Sequence, residues 1–173
     1  MSITPTLTTE RLLLRGWRES DFAPVAQFYV NDPDSVFVGG PRAERDTVMW
    51  FMARAGQWAM RGYGAFVIEE RASGAFVGWC GVNHHVDMRE PEVQYALFSA
   101  QRGRGYMCEA GRAAFDFLFK VTGREKLRAT IHPKNTASQK TARRLNGAPD
   151  GKTVVDDAET VAVWWFLPVG GHA

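Results

Sequence analysis

Apolar residues recur along this chain with two different spacings, and the spacing changes from one segment to the next. Over Glu19–Val30 and Arg42–Arg61 they fall three and four positions apart, which predicts amphipathic helices. Runs rich in Val, Ile, Phe and Trp at Ala65–Arg71 and Ala75–His85 predict the two strands of a β-hairpin. In the second helix the predicted buried stripe consists of Val48, Phe51, Met52, Ala55, Trp58 and Ala59.

The rest of the chain is predicted to alternate strands, helices and loops. Further strands are expected at Leu7–Trp17, Glu92–Phe98, Lys126–His132, Thr153–Val155 and Thr160–Leu167, helices at Gly105–Val121 and Thr136–Leu145, and a loop at Asn31–Pro41. The last two strands form a hairpin around Asp156 and Asp157. This order combines antiparallel hairpins with one strand-helix-strand crossover, so it predicts a mixed, helix-covered sheet. With no repeat or linker, residues 1–173 are predicted to form a single domain.

Composition narrows the class of protein without naming an activity. Hydrophobic residues make up 45% of the chain and charged residues 23%, which is typical of a globular protein. With 21 basic and 19 acidic residues the net charge is +2, too balanced to predict a nucleic-acid partner. Cys80 and Cys108 lack metal-ligand spacing, so no metal site or disulfide is predicted and a reducing cytoplasm is expected. No signal peptide or membrane span is predicted.

The strongest local motif is Arg102-Gly103-Arg104-Gly105-Tyr106, between a predicted strand and a predicted helix. Unpaired amides and the helix dipole make such a junction suitable for a phosphate or pyrophosphate. Two glycines in a turn also occur for geometric reasons alone. The dinucleotide fingerprint lacks its third glycine and the P-loop lacks Gly-Lys-Ser/Thr, so both of those sites are disfavoured.

Three runs of sequence, in order, resemble the GNAT acyltransferase superfamily. EVQYALFSAQRGRGYMCEA at Glu92–Ala110 is similar to its acyl-CoA-binding segment, and IHPKNTASQKTARRLNGA at Ile131–Ala148 to its later cofactor-contacting strand and helix. TTERLLLRGWRESD at Thr8–Asp21 resembles the branch of Rim-type acetyltransferases that modify ribosomal-protein amino termini.

The resemblance implies a GNAT-like fold with acetyl-CoA as its cofactor. This is an α/β fold whose mixed, mostly antiparallel, twisted sheet has about seven strands, helices on both faces, and a cleft where the fourth strand splays from the fifth. The pantetheine arm would lie between Tyr95–Phe98 and Thr130–His132. The implied cofactor-binding residues are Leu97 and Phe98 for the arm and the thioester carbonyl, Arg102, Gly103, Arg104, Gly105, Tyr106 and Met107 for the pyrophosphate, and Asn135 and Ser138 for the arm or thiol end.

Catalytic roles are implied less directly. Glu92 matches an acidic position of the family and is the candidate base, with a surface carboxylate as the alternative reading. His84 or His85 is an alternative base, and because strand side chains alternate, at most one should face the cleft. Many members carry a tyrosine seven residues after the position of Asn135, where this chain has Ala142. Ser138 is therefore the candidate for hydrogen bonding the sulfur.

Further features of the motif segments allow simpler readings. Asn135 is also placed to cap the following helix. Ala100 replaces the Gln or Arg often found three residues before the first glycine of the loop, and Arg102 would compensate. Cys108 is a poor candidate for a nucleophile, although a helix start lowers the pKa of a thiol.

The implied function is transfer of acetyl from acetyl-CoA to a primary amine by direct attack in a ternary complex. The acceptor is either a protein amino terminus or a small molecule. It would be selected by the loops Asn31–Pro41 and Val86–Pro91, with Trp50 and Tyr29 shaping its pocket. A non-catalytic acyl-CoA sensor is the alternative, and a homodimer is expected.

Overall fold

The computed structural model describes residues 4–156 and 159–169, which contain one eight-stranded sheet and four α-helices. The strands are β1 (Leu7–Thr8), β2 (Leu12–Arg15), β3 (Ala65–Glu70), β4 (Phe76–Asn83), β5 (Glu92–Leu97), β6 (Leu127–Ile131), β7 (Gly147–Asp156) and β8 (Glu159–Phe166). The helices are α1 (Phe22–Asn31), α2 (Glu44–Arg61), α3 (Tyr106–Thr122) and α4 (Thr136–Arg144). The predicted loop Asn31–Pro41 contains a short 3₁₀ helix, Pro33–Val38.

The sheet has the strand order β1-β2-β3-β4-β5-β6-β8-β7 and is antiparallel except between β5 and β6. This confirms the predicted mixed, mostly antiparallel sheet. An additional strand arises because Leu7–Trp17 is broken by a turn, in which the Thr9 amide donates to the Leu12 carbonyl at 2.9 Å. β7 is longer than predicted, since Gly147 already pairs with Phe166. Part of the predicted Asp156-Asp157 turn lies outside the described residues.

Helices cover both faces of the sheet, as predicted. On one face Trp79 packs with Val25, Phe28 and Tyr29 of α1 and with Trp50 of α2. On the other face α3 packs against side chains of β2, β3 and β4. Neighbouring β4 residues point to opposite faces of a strand. The aromatic cluster around Trp79 therefore packs beneath α1 and α2, on the opposite face of the sheet from the larger core beneath α3.

The predicted buried stripe of α2 is confirmed at Phe51 and Trp58 and wrong elsewhere. Val48 and Met52 are 39% and 61% exposed. The residues that face inward are Thr47, Trp50, Phe51, Arg54, Gln57 and Trp58. Three of these are polar, and each finds hydrogen-bond partners inside the fold. The apolar pattern alone could not locate this face, because half of its buried residues are polar.

The sheet forks between β5 and β6, at the place predicted for the cofactor arm. β4 and β5 are in register over six residue pairs, from Asn83 with Glu92 to Gly78 with Leu97. β5 and β6 share a single pair, Glu92 with Arg128, and then separate. The crossover through α3 leaves the fork open on one side. A cleft therefore lies between Tyr95–Leu97 and Thr130–Ile131.

Across residues 4–156 and 159–169, no helix is both long and apolar enough to cross a membrane. Within the same ranges, no group of three His, Cys, Asp or Glu side chains is placed to hold a metal ion.

Candidate active site

A cleft of about 860 Å³ opens at the fork of the sheet and extends in two directions. One end reaches the loop before α3, and the other reaches α2 and the residues that follow β4. Among the predicted site residues, those that line the cleft are Glu92, Leu97, Arg102, Gly103, Gly105, Met107, Asn135 and Ser138. Phe98, Arg104 and Tyr106 are not among its lining residues.

The loop before α3 presents backbone amides to the cleft. Gly103 and Gly105 have φ values of 75° and 80°, in the left-handed region that favours glycine. A Cβ atom at Gly103 would meet nothing within 4 Å, so this glycine is required by its backbone conformation. None of the described residues accepts a hydrogen bond from the amides of residues 103–107. Unpaired backbone donors next to a helix dipole suit an anion.

The Arg102 side chain is paired within the fold. Its guanidinium contacts the Asp32 carboxylate at 2.6 Å and the Asp34 carboxylate at 2.7 Å, and its Nε donates to the Leu97 carbonyl at 3.1 Å. The Arg102 amide donates to the Ser99 carbonyl at 3.3 Å. Arg102 therefore ties the loop to the start of the 3₁₀ helix, and it does not present a free charge to the cleft.

The side chains of Arg104 and Tyr106 also turn toward other residues. The Arg104 guanidinium donates to Gln101 Oε1 at 2.7 Å and lies 3.5 Å from the Glu70 carboxylate. The Tyr106 hydroxyl donates to Glu70, and this bond raises the pKa of Tyr106. The backbone amides of these two residues, and not their side chains, are left to meet a ligand.

The edge of β5 has an open backbone amide next to the fork. The Phe98 amide donates to the Val77 carbonyl at 3.1 Å, and the Phe98 carbonyl accepts from the Gln101 amide at 2.8 Å. Hydrogen bonds alternate in direction along an antiparallel strand, so the Leu97 amide faces the gap. Of the two residues predicted to hold the arm, Leu97 has the group that points into the cleft.

Tyr95 and Ser138 meet across the gap. Their hydroxyl oxygens are 3.0 Å apart, and the Tyr95 hydroxyl donates to the Ser138 carbonyl at 3.1 Å. Burial raises the pKa of Tyr95 to about 12, so the phenol stays protonated at neutral pH. Asn135 Oδ1 accepts from the Ser138 amide at 3.0 Å, which is the helix cap considered as an alternative reading. Sequence reasoning assigned no role to Tyr95, although it lies on the strand predicted to border the gap.

Glu92 lies where the two strands diverge. Its carboxylate accepts from Arg128 Nη1 at 2.6 Å, from the Thr130 amide at 3.0 Å and from the Thr130 hydroxyl. Both oxygens are therefore engaged, one with a cation and one with two donors of β6. These bonds join β5 to β6 at the only pair the two strands share.

The predicted strand Ala75–His85 ends at Asn83, so both histidines lie beyond it, and one of the two lines the cleft. His84 is buried, with Nδ1 2.6 Å from the Tyr63 hydroxyl. His85 lines the cleft, and its Nε2 is 3.3 Å from Arg54 Nη1. Burial and the Arg54 charge lower the pKa of His85, while Asp87 opposes that shift. The His85 ring is therefore neutral at pH 7.

The far end of the cleft contains charged side chains that the sequence analysis did not assign. Arg54 is only 4% exposed, and its guanidinium lies 4.7 Å from the centre of the Trp50 ring. Burial lowers the pKa of Arg54 to about 10, so it remains a cation at neutral pH. Arg42 lies 5.1 Å from the centre of the Tyr29 ring. Trp50 lines the cleft as expected, whereas the buried Tyr29 lies behind it.

A sheet that forks beside a crossover helix, with a turn of unpaired backbone amides at the helix start, defines the class of GNAT-fold proteins. Residues 11–147 match the family model described as Acetyltransferase (GNAT) domain, and the chain belongs to this family. The resemblance found in the three sequence runs is thereby confirmed.

Individual relatives agree with this assignment. The uncharacterized protein YkkB of Bacillus subtilis (strain 168) is 30% identical over 172 residues, covering 95% of this chain and 96% of that protein. An acetyltransferase from Agrobacterium tumefaciens str. C58 is 33% identical, with a TM-score of 0.85 and 94% of each chain covered. RimL, a ribosomal L7/L12 alpha-N-protein acetyltransferase in complex with coenzyme A, shares the fold at 16% identity, with a TM-score of 0.72 and coverage of 94% and 98%.

Proposed function

We propose that this protein transfers acetyl from acetyl-CoA to a primary amine by direct attack in a ternary complex. The observation that carries the proposal is the row of unpaired amides at residues 103–107, which opens onto a forked cleft of about 860 Å³. The RimL structure with coenzyme A supports the same use of the fold. The acceptor would be either a protein amino terminus or a small-molecule amine.

One end of the cleft would bind acetyl-CoA in the proposed reaction. The amides of Gly103–Met107 would hold the cofactor pyrophosphate, and Asn135 and Ser138 would border its arm. The cofactor supplies an activated thioester. The Leu97 amide would donate to the thioester oxygen as it gains charge, a contact that costs about 3 to 4 kcal/mol when removed from comparable sites.

The departing thiolate would be stabilised by Ser138. Because Tyr95 donates to the Ser138 carbonyl, it positions the Ser138 hydroxyl beside the gap. Ala142 is fully buried, and its methyl group has no donor that could assist the sulfur. The Tyr95–Ser138 pair takes over that function in the proposed mechanism.

Two side chains are candidates for the base that deprotonates the amine. Glu92 was predicted from the sequence, but both of its oxygens already accept hydrogen bonds from Arg128 and Thr130. His85 lines the cleft with a neutral ring. These contacts favour His85 as the base and Glu92 as the residue that holds the fork.

The expectations on assembly and location remain predictions from the sequence. They are that residues 1–173 act as one domain, that the protein forms a homodimer, and that it works in the cytoplasm.

The proposal is tested by incubating the purified protein with acetyl-CoA and a panel of primary amines. Release of the free thiol and the mass of the product are both measured. We expect acetylated amine to form in step with thiol release. Binding of acetyl-CoA without turnover on small amines or on peptide amino termini would instead support the acyl-CoA sensor.

A further inference from the structure

Arg54 is a buried cation whose partners are all uncharged. Its Nη1 donates to Asn83 Oδ1 at 2.7 Å and its Nη2 donates to Gln94 Oε1 at 3.2 Å. Over the part of the chain that the structure describes, no carboxylate lies within salt-bridge distance of Arg54. Burying a charge without a counter-ion is unfavourable, so this arrangement calls for a ligand of opposite charge.

Unused donors surround the same part of the cleft. The Nε atoms of Arg54 and Arg42 and the Nε2 atom of Gln94 are buried and have no hydrogen-bond partner among the described residues. All three residues line the cleft. Each of the three atoms is a donor, and buried donors are almost always paired in folded proteins. A ligand that only accepts hydrogen bonds, such as a carboxylate, would satisfy them.

The acidic residues of the cleft do not supply this missing charge. Asp34 is paired with Arg102 at 2.7 Å and Glu92 with Arg128 at 2.6 Å. Asp87 is exposed, and it opposes the lowered pKa of His85. The part of the cleft around Arg54 therefore contains the guanidinium groups of Arg54 and Arg42, the His85 imidazole and the exposed Asp87 carboxylate.

We propose that the acceptor is a small primary amine that also carries a carboxylate, and that Arg54 and Arg42 bind this carboxylate. The inference rests on the proposed acetyl transfer and narrows its substrate class to amines of the amino-acid type. Phe28, Phe37, Trp50 and Val38 line the same cleft, so the remainder of the acceptor would be apolar. A polyamine would place further positive charge beside two guanidinium groups.

The spacing along β5 fits an acceptor of that size. Gln94 contacts Arg54, and Leu97 holds the amide proposed to polarise the thioester. The two residues are three positions apart, which is about 10 Å along a strand. That distance accommodates an acetyl group, the attacking amine and a nearby carboxylate.

The test compares amines in matched pairs that differ by the carboxylate. The values of kcat/KM are measured for L-phenylalanine against phenethylamine and for L-methionine against methylthiopropylamine, with spermidine as a cationic amine. We expect each acid to exceed its decarboxylated partner by about 10- to 100-fold, the range for hydrogen bonds to a charged group. Spermidine should be the poorest acceptor.

Variants then assign the preference to these two residues. Arg54→Met should lower the ratio of acid to amine by about 10- to 100-fold, and Arg54→Lys by less, because it keeps the charge. Arg42→Gln should lower the ratio by about threefold to tenfold, and it remains informative if Arg54→Met fails to fold. Arg45→Gln changes an exposed residue of α2, the helix that contains Arg54, and should leave the ratio unchanged.

A binding experiment separates this inference from the proposed activity. Phenylpropanoate, an acid without the amine, should raise the melting temperature of the wild-type protein, raise that of Arg42→Gln by less, and leave that of Arg54→Met unchanged. A wild-type ratio near one, or a ratio that neither the Arg54 nor the Arg42 variants change, would overturn the inference while leaving acetyl transfer intact. If no amine is acetylated, the proposed function fails, and the phenylpropanoate shift alone then decides whether the anion site exists.

Discussion

The two ends of the cleft differ in the groups that they leave unpaired. At the cofactor end, charged side chains are neutralised by one another, as Arg102 is by Asp32 and Asp34, and the backbone amides remain open. At the acceptor end the backbone is paired within the sheet, and the side chains of Arg54 and Arg42 carry the unused donors. A site made of backbone amides suits a pyrophosphate. A side-chain site can differ from one acceptor to the next.

The largest effect is expected at the backbone site. Gly103→Asp would place a carboxylate beside the pyrophosphate, whereas Gly103→Asn has the same shape without the charge, and both residues tolerate a positive φ. Like charges in contact cost several kcal/mol, so Gly103→Asp should weaken acetyl-CoA binding on the order of 1000-fold, and Gly103→Asn far less. Calorimetric titration measures both. Equal affinities for the two variants would remove the pyrophosphate from this loop.

The next effect concerns the base at the acceptor end. Loss of a general base usually costs about 100-fold or more, and we expect this loss for His85→Gln and not for Glu92→Gln. The folded-state pKa of His85 lies below its ordinary value, so the wild-type rate should fall only as the pH drops through that lowered pKa and the ring becomes protonated. The pH dependence of kcat/KM measures this. Persistence of the acid limb in His85→Gln would return the role to Glu92.

A smaller effect is expected where the two ends meet, at the Tyr95–Ser138 pair. Ser138→Ala should lower kcat by about 10- to 30-fold with little change in KM, because it removes a hydrogen bond to a charged thiolate. Tyr95→Phe should act through Ser138, so the double variant should be no slower than Ser138→Ala alone. Single-turnover rates test this, and fully additive losses would show that the two hydroxyls act independently.

The smallest effect is expected at Arg102, which links the loop before α3 to the start of the 3₁₀ helix Pro33–Val38. Arg102→Gln would release the Asp32 and Asp34 carboxylates and free the 3₁₀ helix Pro33–Val38, which lines the acceptor side. Partly exposed ion pairs contribute little, so we expect a threefold to fivefold rise in the acceptor KM at about the same acetyl-CoA affinity. Steady-state kinetics with each substrate varied in turn would measure both. A larger loss of acetyl-CoA binding would instead assign the Arg102 side chain to the cofactor.

The sequence predicted the cofactor end better than the acceptor end. A glycine-rich junction between a strand and a helix has a backbone geometry that follows from residue type, so Gly103 and Gly105 were placed correctly. Arg54 was missed because it is a polar residue on a helix face that was predicted from its apolar residues alone. The signal was present, since Arg54 is four residues after Trp50 and three after Phe51, on the buried face. What a buried arginine faces depends on distant strands, here Asn83 and Gln94, and this cannot be read from local spacing.

The pairing of side chains across the sheet was equally hidden. Arg102 was expected to assist the pyrophosphate, yet its charge is used by two aspartates about seventy residues earlier in the chain. Tyr95 and Ser138 are 43 positions apart in the sequence, and they meet across the gap between β5 and β6. Such contacts follow from the topology of the sheet and from loop packing.

The central claim is that the amine attacks acetyl-CoA directly while both occupy the cleft. Initial rates measured over a grid of acetyl-CoA and acceptor concentrations test it most directly. Direct attack in a ternary complex predicts double-reciprocal lines that intersect, with no acetylated protein detected by mass spectrometry when the acceptor is withheld. Parallel lines together with an acetyl group on Cys108 would contradict it, because they would require a covalent intermediate on the protein.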